Sequence, residues 1–225
     1  MLCGVLWASQ AEYYLKALGM KVAYLKININ DRNQTMDIHT HSLFTSSIFP
    51  QLDNTYSITF DNEYRPLNLK RDIHQKNLDD VVTTDYDRTK LTARLCRQSE
   101  PKSRSYPIGK DTREVFTFLA FLAKGNPRDG SYEIDGNGSK WKAVVARKGS
   151  ETVKTILGKQ PAQRYEIRFA SPDQQKAPYI DMATNNILNQ NSRISVWVDA
   201  KQRMIKAVVK ARGISTNWEL IGYKA

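Results

Sequence analysis

From Arg193 to Tyr223 apolar and polar positions alternate in three successive runs. Ile194, Val196 and Val198 alternate with Arg193, Ser195 and Trp197. Asp199-Ala200-Lys201-Gln202 separates this run from the β-branched run Met204 to Lys210, and Arg212-Gly213 separates that from Ile214 to Tyr223. Period-two alternation broken by short polar turns predicts antiparallel strands. The same rhythm runs back along the chain. Glu12 to Leu18 and Met20 to Asn30 flank Gly19, and the alternation of the second run slips near Val22, which predicts a bulge. Asp31-Arg32-Asn33-Gln34 reads as a turn before Thr35 to Leu43. Further strands are predicted at Asn54 to Phe60, in a hairpin of Arg65 to Gln75 with Asp80 to Asp85, and at Leu91 to Arg97.

Four stretches depart from the rhythm. Phe44 to Gln51 reads as a helical turn or irregular crossover, and Glu100 to Lys110 as a loop, because Pro101 and Pro107 oppose regular structure. Asp111 to Lys124 reads as a helix, with Asp111 as cap, Glu114 completing a capping box, and Gly125 and Pro127 as stops. Its apolar residues lie nearly all round, so it is expected to be buried, as core filler or as the wall of an apolar ligand cavity. Gly130 to Ile134 pairs with Trp141 to Arg147 across Asp135-Gly136-Asn137-Gly138, a turn and not a phosphate cradle, since no helix opens after it. Ser150 to Leu157 and Ala162 to Ala170 make a further pair, and Ser171 to Asn191 reads as a polar loop with a short irregular segment. The predicted fold class is mainly β: a curved antiparallel sheet or open barrel-like meander with one buried helix near residues 111–124.

The 225 residues suffice for one sizeable core, and 40% hydrophobic with 25% charged residues excludes a disordered chain. Met1 to Ala11 is apolar through Trp7 and ends in a small-x-small pattern at Ser9 and Ala11. It reads as the remnant of a signal peptide, with residues 12–225 as a single exported, periplasmic domain. No later apolar run reaches the ~20 residues a membrane span needs. Net charge is +11 and uneven. Residues 140–225 hold 16 Lys and Arg against 6 Asp and Glu, while the first 139 are nearly balanced. Such a field favours anionic partners.

Candidate chemistry is sparse. His39 and His41 share a strand face, but a metal site needs a third ligand, such as His74 or Asp37. Asp85, Asp87 and Asp199 are the carboxylates that a hydrolase acting on envelope glycan or lipid would need, and each also suits a turn or surface position. Cys3 and Cys96 are too few for a disulfide framework. No cofactor motif is present, and the aromatics fit core positions better than a nucleic-acid stacking face.

The chain resembles the bacterial exported family known as domain of unknown function 3108, over about Tyr13 to Tyr223. The resemblance rests on Tyr14 with Leu18-Gly19-Met20-Lys21-Val22, Asn54 to Phe60 followed by Tyr64-Arg65-Pro66, Thr84-Asp85-Tyr86-Asp87, the helix around Asp111 to Gly125, and Ser195 to Asp199 with Met204-Ile205-Lys206-Ala207. It implies an envelope protein with a curved, largely antiparallel sheet and, by analogy, a carrier of acyl chains; it supplies no catalytic residues. The expected function is non-catalytic binding of a lipid-like or anionic envelope component. Phe116, Phe118 and Phe121 are expected to meet its apolar part, and Lys142, Arg164, Arg168, Lys206 and Lys210 its anionic group or the membrane surface.

Overall fold

The computed structural model describes residues 8–171 and 177–224. In chain order its strands are β1 (Ala8–Ala17), β2 (Met20–Asn30), β3 (Thr35–Ser42), β4 (Leu52–Phe60), β5 (Pro66–Gln75), β6 (Leu78–Asp87), β7 (Thr92–Arg97), β8 (Glu100–Pro107) and β9 (Arg113–Glu114). Helix α1 (Val115–Lys124) follows, then β10 (Gly130–Asp135), β11 (Lys140–Thr155) and β12 (Gly158–Ala170). Helix α2 (Met182–Ile187), β13 (Arg193–Asp199), β14 (Met204–Ala211) and β15 (Ile214–Lys224) complete the described chain.

All the strands join one sheet, in the order β8 to β1, then β15 to β9. The first and last strands therefore sit side by side at its centre, and two meanders run outward from them. Every neighbouring pair is antiparallel except the short β9–β10 contact. The predicted mainly β, open meander with a buried helix is the observed fold.

Alternation puts one row of each strand inside. Asn54, Tyr56, Ile58 and Phe60 of β4 are buried, while Asp53, Thr55, Ser57 and Thr59 are exposed. At the predicted slip in β2, Lys16 pairs with Lys21 and Leu15 with Ala23, so Val22 is the extra residue and both Val22 and Ala23 are buried. Helix α1 lies in the concavity, with Val115, Phe118 and Leu122 fully buried.

The sheet does not close through its backbone; side chains join its two ends. Tyr86 of β6 and Tyr106 of β8 donate their hydroxyl protons to Asp135 of β10 at 2.6 and 2.7 Å. The Gly109 amide donates to Glu133 at 2.5 Å, and Arg113 donates from Nε and Nη2 to the Glu63 carbonyl at 3.0 and 2.9 Å. Beside this seam Arg71 and Glu114 are shut off from water, Nη2 to Oε1 at 3.7 Å, and Arg71 also bonds the Tyr179 hydroxyl.

Several elements differ from the sequence expectation. Residues 100–107 form a strand, because β8 is the sheet's edge, where proline removes no ladder bond. The helix begins at Val115, not Asp111. Glu114 is its cap, accepting from Phe116 N at 2.8 Å and Thr117 N at 3.3 Å, and the preceding residues are held in β9 by β10. The runs 141–147 and 150–157 are one strand, β11, with an irregularity between Arg147 and Ser150. The polar loop 171–191 contains α2, capped by Asp181. The expected signal remnant lies partly outside the described residues, at 1–7; Ala8 to Ala11 belong to β1 and pair with β2, with Gln10 and Ala11 also opposite β15.

Two expectations follow. Phe118 packs in α1 with none of its surface exposed, so Phe118→Ala is expected to cost about 3–5 kcal/mol in chemical denaturation. A cost under about 1 kcal/mol would mean that α1 is peripheral. The second concerns pH. Burial pushes the Glu114 carboxyl up to about 7, against the opposing pull of Arg71 and the two cap amides. A carboxyl that holds its proton more tightly when folded loses stability as pH rises from its unfolded value, about 4.5, to about 7, and no further. The acids whose values folding lowers, Asp61, Asp80 and Glu133, act in the opposite sense below that window. Glu114→Gln keeps an acceptor for the cap, so it is expected to remove a stability loss on the order of 3 kcal/mol between about pH 4.5 and 7. Denaturation of both proteins across that range checks it, and parallel profiles would refute it.

Candidate functional site

A ten-residue helix is about 15 Å long, while strands of ten or eleven residues extend about 33–37 Å. Helix α1 therefore covers only part of the inner wall. Past Phe116 the wall bounds a cavity of about 420 Å³. Leu15, Val22, Ala23 and Leu25 of β1 and β2, and Val209 and Trp218 of β14 and β15, form its apolar side. The bulge in β2 supplies two adjacent inward residues, Val22 and Ala23, where regular pleating would supply one. Ala23 is small and leaves space that a larger side chain would occupy.

Two lids cover the cavity. One is the segment 43–51, of which Ser47 to Pro50 line the cavity; the other is Ile180 with α2, through Met182, Ala183 and Ile187. The first is tied down locally: Ser42 Oγ donates to the Pro50 carbonyl at 3.1 Å and accepts from Leu52 N at 3.0 Å. The second is pinned to the wall by polar side chains. Asp181 Oδ1 accepts from Ala183 N at 3.0 Å, Tyr56 Oη at 3.0 Å and Asn54 Nδ2 at 3.3 Å. Burial, then the adjacent Asp181 charge, raises the Tyr56 hydroxyl well above its ordinary value, so it stays a donor. Gln75 receives Met182 N at 3.0 Å and donates to the Ile180 carbonyl at 2.5 Å.

The rim is mixed. Leu43, Phe44, Ile48 and Ile180 of the lids are 40–60% exposed. Arg212, at positive φ in the β14–β15 turn, borders the cavity together with Asn185 and Asn186. Arg212 has no ion-pair partner among the described residues. An apolar pocket of this volume with a few polar groups at its mouth suits a small apolar or amphipathic ligand.

The sequence-predicted ligand residues fall into two sets that do not meet. Phe116 lines the cavity and packs on Tyr56, with ring centroids 4.9 Å apart. Phe118 and Phe121 point elsewhere, packing on Tyr132 at 5.9 and 5.6 Å. Lys142, Arg164, Arg168, Lys206 and Lys210 lie on the outer face of β11, β12 and β14, across the sheet from the cavity. Arg164 and Lys206 flank the Trp197 ring at 5.4 and 4.9 Å, and Arg164 pairs with Glu166 at 2.8 Å. Arg168 and Lys210 share a groove with Arg193, and Lys142 stands apart. The lids and Arg212 were missed. The apolar residues Ile180 and Met182 within a polar loop, and the unpatterned run Leu43 to Pro50, were the available signals.

The other candidates are engaged singly. His39 bonds Asp53 at 2.7 Å, His41 packs at a tilt against Tyr24, and His74 meets Asp72 and Asp79 at 3.0 and 2.8 Å. Among the described residues no group of three such side chains is placed to hold a metal ion. Asp85 accepts from Asn68 at 2.5 Å, Asp87 holds the following turn through Thr89 and Lys90, and Asp199 holds its own turn with Arg203. These carboxylates do not converge. Among the described residues no helix is long and apolar enough to cross a membrane.

No family model and no curated protein matches the chain. Among solved structures it is similar to a beta-barrel-like protein of domain of unknown function DUF1849 from Brucella abortus, at 9% identity and a TM-score of 0.65, over 97% of this chain and 98% of that one. A protein described as exported, with a YmcC-like fold, from Bacteroides fragilis matches at 12% identity and a TM-score of 0.34, over 96% and 95%. One described as a lipoprotein, from Parabacteroides distasonis, matches at 8% and 0.37, over 96% and 95%. The first likeness shows a shared fold, that of a bacterial barrel-like protein of unknown function. The specific resemblance to domain of unknown function 3108 stays with the motifs quoted for it.

Proposed function

We propose that this chain is a non-catalytic binding protein of the cell envelope, which holds the apolar part of a single lipid-like amphipath in the cavity under α2. The observation that carries this reading is the cavity itself: about 420 Å³, walled by aliphatic and aromatic side chains and roofed by lids whose apolar residues reach solvent. Each methylene buried there contributes ~0.8 kcal/mol, so a short acyl segment suffices for useful affinity. Arg212 at the mouth selects an anionic head group, since a guanidinium binds carboxylate or phosphate through paired donors. Export to the periplasm is part of the reading. Its support is the family resemblance.

The test is a titration of delipidated full-length protein with a medium-chain fatty acid and with the alcohol of equal length, followed by native mass spectrometry. The acid is expected to bind one to one and more tightly than the alcohol. Arg212→Gln is expected to abolish that difference and leave the alcohol unaffected. Ala183→Trp fills space needed by several methylenes and is expected to weaken both ligands at least about tenfold without lowering the melting temperature. Undiminished binding to Ala183→Trp would move the site elsewhere, and no binding of either ligand to the wild type would overturn the reading.

A further inference from the structure

The outer face of the sheet carries an arrangement that no internal interaction accounts for. In register, Arg168 of β12 stands opposite Arg193 of β13, and Arg193 opposite Lys210 of β14. Three cations thus form one row across three adjacent strands, with about 5 Å between neighbouring backbones. Like charges directly opposite one another destabilise a sheet. Among the described residues none of the three has an ion-pair partner. The one carboxylate in their groove, Glu166, is engaged by Arg164 at 2.8 Å. The groove holds about 170 Å³ and opens onto solvent.

The row ends beside the cavity mouth. Lys210 and Arg212 border the same surface depression at the β14–β15 turn, and Arg212 also borders the cavity. The exposed apolar residues Leu43, Phe44, Ile48 and Ile180 lie on the lids of that cavity. A cationic row adjoining an exposed apolar rim matches a bilayer surface, with phosphates at one level and acyl chains beneath.

We propose that the Arg168–Arg193–Lys210 row, continued by Arg212, is a docking surface for an anionic phospholipid bilayer. It sets the cavity mouth against the membrane. The three cations replace their mutual repulsion with lipid phosphates, and the lid residues Phe44 and Ile48 reach toward the acyl region. The Arg168–Arg193–Lys210 part of this surface is independent of what the cavity holds, because it lies on the other face of the sheet; Arg212 borders both.

The experiment is co-sedimentation of the full-length protein with phosphatidylcholine vesicles, with and without phosphatidylglycerol, at low and high salt. Binding is expected only with phosphatidylglycerol, and it should weaken with salt. The triple variant R168Q/R193Q/K210Q is expected to lose about a hundredfold in vesicle affinity, from roughly fivefold per cation. Its melting temperature should equal or exceed that of the wild type, because the repulsion is gone. K70Q/K76Q/K102Q removes the same charge from exposed positions on β5, β8 and the β5–β6 turn, and should lose less than about threefold. Equal losses in the two triples would reduce the effect to net charge and overturn the proposal. So would unchanged binding by the row variant, or wild-type binding to an oligonucleotide duplex and not to vesicles.

Discussion

The guanidinium of Arg71 is sealed inside the protein and must find its counter-charge there. Moving an ion from water into a protein interior costs several kcal/mol, and removing one member of a buried pair typically costs about 3–5 kcal/mol. Arg71 meets that demand through the Tyr179 hydroxyl, through Glu114, whose charge is complete only above about pH 7, and, less directly, through Asp181. Each of those groups belongs to an element that has no ladder bond to the wall around Arg71. Glu114 caps α1, and Tyr179 and Asp181 lead into α2. One buried charge on β5 thereby positions both the helix that fills the core and the lid that covers the remaining space.

The same device closes the barrel. Among the described residues fifteen strands curl without joining their edges, which leaves backbone groups and apolar surface to be protected at the seam. Asp135 accepts two tyrosine hydroxyls from the far end of the sheet, and Glu133 accepts the Gly109 amide and the Thr112 hydroxyl. Side-chain closure differs from a continuous ladder in one physical respect: each bond depends on a few named atoms rather than on a repeating backbone pattern.

How much of this was legible in the sequence depended on whether the signal was local. The meander 193–223 and the bulge at Val22 were legible, because alternation and its slip are properties of neighbouring residues. The strand β8 was not: proline argues against a strand unless the strand is an edge, and edge position is a property of the whole sheet. Helix α2 is six residues long and Asn-rich, too short for a periodic signal to emerge. Phe116, Phe118 and Phe121 read alike in sequence, yet only Phe116 reaches the cavity, because the void depends on where α1 ends against longer strands. Arg168 and Lys210 were recognised as basic, but Arg193, the residue between them, was not. Its place in the row follows from the pairing registers of β12, β13 and β14, which turn lengths set.

The outer basic residues and the inner aromatics were expected to serve one ligand, and the pleat of the sheet forbids it. Successive residues on a strand point to opposite faces, so the side chains of Arg168 and Ile167, or of Arg193 and Ile194, lie on opposite sides of the sheet. A single ligand spanning both faces would have to pass round the end of the strands. That end is where Lys210 gives way to Arg212 and the apolar lids begin. Two adjoining functions at one rim fit this geometry better than one extended site. On the proposed reading, the inner face offers a largely apolar volume to a chain-like group, and the outer face offers a row of cations to a surface. The β14–β15 turn, held at positive φ by Arg212 and Gly213, joins the two.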